Sequence, residues 1–102
     1  MLNNPKWNEV KTEPSDADIY NEAANLIERY GHAKHEVQSP TGALCVYGAM
    51  SMACTGDPWL ITHRGHELVG KLTGNDICSW NNREETTQAD AIALLRKAAL
   101  NA

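Results

Sequence analysis

Four histidines and three cysteines are the residues of this chain best suited to chemistry. His32, His35, His63 and His66 form two His-x-x-His pairs, and Cys45, Cys54 and Cys78 add soft ligands, a set that could hold zinc. Structural zinc sites, however, bring their cysteines in close pairs, and here at least eight residues separate any two. Cys45 and Cys54 also fall inside an apolar run, where cysteine behaves as a small buried hydrophobe. Surface histidines and buried thiols are therefore the expectation, with no metal and no cofactor. A nucleophilic enzyme would need a thiol or hydroxyl beside a base, with a third group to orient that base. No local stretch supplies one, and Cys78, near Asp76 and Trp80, is the single cysteine worth testing. Glu84 and Glu85 precede a helix start and read as dipole partners, and no glycine-rich phosphate loop occurs.

The tryptophans and one asparagine pair carry the remaining signal. Trp7 and Trp59 stand in polar or turn-rich surroundings, where an indole anchors a segment or offers a contact surface. Trp80-Asn81-Asn82 is the most distinctive short stretch. An asparagine amide can donate and accept at once, so Asn81 or Asn82 is expected to fasten a loop while Trp80 fills the core. The functional alternative makes Trp80 and Asn81 an exposed recognition patch.

The elements that must position these residues follow from periodicity. Residues 41–56 form an apolar run bounded by Thr41, a capping residue, and Gly56, a helix stop. Its apolar residues cover most of a helix circumference, which predicts a buried central helix. It is too short to cross a bilayer, which takes about 20 residues. Ser15 with Asp18, and Thr87 with Asp90, are capping boxes. The first opens a helix with a stripe of Ile19, Ala23, Leu26, Ile27 and Tyr30, closed by Gly31. The second opens one with Ala91, Ile92, Leu95, Ala98 and Ala99, widened by Leu94, with Arg96 and Lys97 near its end. Asp57-Pro58 predicts a third helix with Ile61, Gly65, Leu68, Val69 and Leu72 inward, its start movable to Thr62. Residues 77–85 read as a crossing segment. Residues 1–14, broken by Pro5 and Pro14, read as an arm anchored by Trp7, and residues 35–38 could pair with residues 7–11 as a short hairpin.

The fold expectation is thus mainly α: a single small domain, residues 15–102, of about four helices around a central apolar helix. Its 102 residues allow one modest core, and 42% hydrophobic with 22% charged residues is the balance of a globular protein. A net charge of −4, with the charges scattered singly, lacks the footprint of a nucleic-acid binder. The N-terminus has neither the basic start nor the apolar run of a secretory signal, which points to the cytoplasm. No membrane partner is implied.

The motifs also resemble a known group. AANLIERYG, then G-x-x-C-x-x-G-A at Gly42, Cys45, Gly48 and Ala49, then Trp80-Asn81, then a threonine-capped helix ending ALLRKAA is similar to a family of small proteins of unknown function from actinobacteria and their bacteriophages. The resemblance runs from Ala23 to Ala99 and departs at Asn82, where the family commonly has aspartate. It carries no activity, so its residues transfer as fold determinants. It implies a setting: a small cytoplasmic, phage-encoded interaction module acting on a host protein, not an enzyme. Two alternatives remain open, a small metal-dependent protein or enzyme using the histidines with Cys78, and a self-associating protein that buries Trp7 or Trp59 in a homodimer.

Overall fold

The computed structural model describes residues 14–60, 62–74 and 76–102. The expectations for the arm, for Trp7, for the hairpin with residues 7–11 and for Ile61 lie outside the described residues. Among the described residues five helices follow in order: α1 (Asp16–Tyr30), α2 (Val46–Thr55), α3 (His66–Thr73), α4 (Ile77–Asn82) and α5 (Gln88–Asn101). The fold is all-helical, with no sheet among the described residues; Leu44 alone forms isolated bridges, to His32 and to Gln38.

Both capping boxes form. Ser15 Oγ accepts from the Asp18 N–H at 3.1 Å while Asp18 accepts from the Ser15 N–H, and Thr87 and Asp90 repeat the exchange. Each satisfies two donors that a helix start leaves unpaired. The longest seam joins α1 to α5, and α1 packs on α2 along its other side. Ala23, Ala24, Ile27, Ala49, Met50, Val69, Ala91, Leu95 and Ala98 are fully buried there. Tyr20 is buried as well, and its hydroxyl donates to the Gly65 carbonyl at 2.7 Å. Each large side chain so buried contributes about 1.5–3 kcal/mol. Tyr30, expected on the inner stripe, is 44% exposed at the end of α1.

The apolar helix is shorter than its run. Thr41 does not cap it; Cys45 does, its Sγ accepting from the Gly48 N–H at 3.2 Å, and Gly56 closes it in the left-handed conformation. Leu44 stays out of the helix because it is fully buried and its backbone pairs with Gly31 and Ala33. Met52, Ala53 and Cys54 are half-buried, so the helix has one wetter face.

The third helix also starts later. Asp57 receives the Trp59 N–H at 2.9 Å, and this turn ends the helix expected from Pro58. Gly65, at φ +83°, sets the start of α3 instead, since that conformation cannot continue a helix. The segment expected to cross without structure is α4, capped by Asp76 on the Ser79 N–H. Because α5 extends to Asn101, Arg96 lies short of its last turn and bonds Asn21 and Asn25 across the α1 seam. No helix among the described residues is long and apolar enough to cross a membrane.

Candidate functional site

Asn81, 1% exposed, is the knot around which the site is built. Its Oδ1 accepts the Val46 N–H at 2.9 Å, one of the free donors at the start of α2, and the His32 Nε2–H at 2.7 Å. An amide oxygen can only accept, so His32 carries its proton on Nε2. Its Nδ2 donates to the Ala33 carbonyl and to Asn82 Oδ1, both at 3.0 Å. Asn81 thus joins α4, the start of α2 and the loop after α1, with its hydrogen-bonding capacity filled.

Asn82 extends the knot. Its Oδ1 also accepts the His35 N–H at 2.7 Å, and His35 sits at φ +65°, a strained conformation for a residue with a side chain. Both donors call only for an acceptor oxygen at position 82. An aspartate would serve them equally, which gives the resembling family's aspartate a structural reading. Lys34 donates to the Arg83 and Glu84 carbonyls beyond. The loop of residues 32–38 is held on its other side by Gly48: a β-carbon there would lie 2.5 Å from the Val37 carbonyl oxygen. Only glycine lets the loop seat this closely on α2.

Held in this way, the loop forms one wall of a cleft of about 500 Å³. Tyr47 and Cys45 of α2, Cys78 and Asn81 of α4, and Pro58-Trp59 supply the remaining walls, with Glu36 and Val37 on the loop side. The volume falls within the range of ligand clefts, about 300–1,000 Å³. Trp59 is 61% exposed, and its neighbour Leu60 is 55% exposed. The two adjoin, so the cleft's rim presents a contiguous pair of exposed apolar side chains, the kind of surface that contact sites use.

The cleft's thiols are held neutral. Burial pushes the Cys45 thiol up, outweighing the hydrogen bond it accepts, and burial with the Asp76 carboxylate nearby pushes Cys78 up. Neither favours the thiolate that nucleophilic chemistry needs. Of the residues singled out in the sequence, His35, Cys45, Trp59, Cys78, Asn81 and Asn82 meet in this cleft. Trp80 does not: it is half-buried against the core and lines a separate hollow with Leu72 and Leu94. The sequence carried no signal for Glu36, and Tyr47, expected only in the core, is a cleft wall. The histidines separate into different roles, and no three His, Cys, Asp or Glu side chains converge as metal ligands among the described residues.

His66 bears on stability. Its ring packs edge-on to Tyr47 at 4.8 Å, and its Nε2 is buried with no hydrogen-bond partner among the described residues. Burial, then the neighbouring His63, lowers its pKa from the ordinary 6.5. The unfolded chain therefore binds this proton more tightly than the folded one. The neutral ring's contribution is complete above the unfolded value and is lost as pH falls through the folded one. Urea midpoints measured from about pH 7.5 to about 5.5 should fall more steeply for wild type than for His66→Phe, which keeps a ring against Tyr47. Parallel slopes would show that His66 is not the titrating group.

No curated protein and no solved structure matches the chain. A family model matches it across residues 11–101, a span that takes in the Cys45 cap, the Gly48 approach and the Asn81 knot. The chain belongs to this family, DUF6197, a family of unknown function.

Proposed function

We propose that the protein is a binding module that works by contact with another protein, and that the cleft beside Trp59 is its contact site. The supporting observation is the pairing of a cleft of about 500 Å³ with a tryptophan 61% exposed at its wall. Tryptophan is one of the residue types enriched among those that dominate protein interfaces. The rigid Asn81 knot behind it keeps the cleft shaped before a partner arrives, which lowers the ordering cost of binding. Neutral thiols in the same cleft favour binding over covalent chemistry. The resemblance to small proteins of actinobacteria and their phages supplies the setting: a phage-encoded protein in the host cytoplasm, with a host protein as its target.

The test is affinity capture from an actinobacterial lysate with wild type and Trp59→Ala, retained proteins being identified by mass spectrometry. One enriched protein, reduced at least about tenfold by the substitution, is expected if Trp59 is an interface anchor. Equal retention by both would remove the cleft from the contact.

A further inference from the structure

The cleft has aromatic walls and one sign of charge. Tyr47 and Trp59 both line it, Tyr47 fixed by its packing on His66 and Trp59 open to solvent. Glu36 is the one Asp, Glu, Lys or Arg among the described residues of the lining. Its carboxylate has no salt bridge among the described residues. Two further carboxylates lie close to lining residues: Asp57, bonded to the Trp59 N–H, and Asp76, whose charge is felt at Cys78. The nearest lysine along the loop, Lys34, is engaged with the Arg83 and Glu84 carbonyls. Such a cleft favours a cation that also has apolar surface over phosphates and carboxylates.

We propose that the cleft receives an arginine side chain of the partner protein, its stem along Val37 and Pro58, its guanidinium against the aromatic walls and paired with Glu36. This rests on the reading of the cleft as a protein-contact site. Arginine fits better than lysine because its flat, weakly hydrated guanidinium stacks on aromatic rings and forks onto a carboxylate. The chain's net charge of −4 adds long-range attraction for a basic segment.

The test titrates short capped peptides, identical except for arginine, citrulline or leucine at the centre, into the full 102-residue chain, followed by the Trp59 indole and the Tyr47 and Glu36 amide resonances. Citrulline keeps arginine's shape without its charge. The arginine peptide is expected to bind about five- to tenfold more tightly than the citrulline peptide, the combined scale of an exposed ion pair and a cation–π contact. Glu36→Gln should lower that preference to about two- to threefold, the part that the cation–π contact supplies alone, while the cleft resonances still respond. If citrulline or leucine binds as tightly as arginine at these resonances, the arginine inference falls and the cleft remains a peptide site. If no peptide moves them, the contact-site reading falls, and this inference with it.

Discussion

Asn81→Ala is expected to lower the unfolding free energy by about 3 kcal/mol, with a fall in Tm on the order of 10–20 °C. The substitution removes four hydrogen bonds and strands the Val46 N–H and the Ala33 carbonyl without their partner. An unpaired buried polar group costs about 1–3 kcal/mol, and two are created together. The loss therefore exceeds what a cavity the size of an asparagine side chain would cause alone. Asn81→Asp separates the two halves of the knot: it retains acceptors for Val46 and His32 but loses the donors to Ala33 and Asn82, and it brings a charge into a site 1% exposed. It should also be destabilising. Denaturant unfolding measures both, and a loss under about 1 kcal/mol for Asn81→Ala would show that the loop and α2 are joined without this side chain.

Gly48→Ala should destabilise, the reverse of the ordinary effect in a helix. Replacing an interior helical glycine by alanine normally stabilises by about 1 kcal/mol. At Gly48 the added β-carbon would meet the Val37 carbonyl oxygen at 2.5 Å and Val37 Cγ1 at 2.9 Å. The oxygen is backbone and already accepts the Cys45 N–H at 3.2 Å, so it cannot rotate out of the way. The loop must retreat from α2, and overpacking of this kind costs about 1–3 kcal/mol. Unfolding midpoints for wild type and variant decide the sign. A stabilised Gly48→Ala would mean that the loop does not seat on the helix as described. Because Val37 lines the cleft, the variant should also weaken peptide binding there.

Which features were legible in the sequence follows from how local their physics is. The capping boxes at Ser15 and Thr87 are exchanges over three residues, and both helices open where the pattern places them. The apolar run of residues 41–56 was legible as buried but not as to where its helix begins. Leu44 stays out of the helix because of bonds to Gly31 and Ala33, more than ten residues away, and a thiol takes over the cap that a threonine appeared better suited to provide. Asp76 carried the cap signal for α4, but six residues are too few to show helical periodicity. The site was visible only in part. Asn81 was legible as a fastening residue because its amide can serve both donors and acceptors. The cleft was not, because its walls come from residues 35–37, from Cys45 and Tyr47, from Pro58 and Trp59, and from Cys78, Asn81 and Asn82, which no sequence spacing connects.

The motif residues now have physical roles of their own. Cys45 caps α2, Gly48 admits the Val37 carbonyl, and Asn81 ties α4 to the start of α2 and to the loop after α1. These three positions hold the loop side of the cleft, whatever occupies it.

The most direct measurement of the contact-site reading is photo-cross-linking from the cleft itself. A benzophenone amino acid in place of Trp59, with a second chain carrying it in place of Leu100 as the reference, would be irradiated in the lysate used for capture and the adducts mapped by mass spectrometry. Leu100 is 87% exposed on α5 and does not line the cleft, so it reports chance encounters. The account predicts a single protein linked through position 59 and absent from position 100, joined at a segment that contains arginine. A protein linked through position 100 and never through position 59 would contradict it.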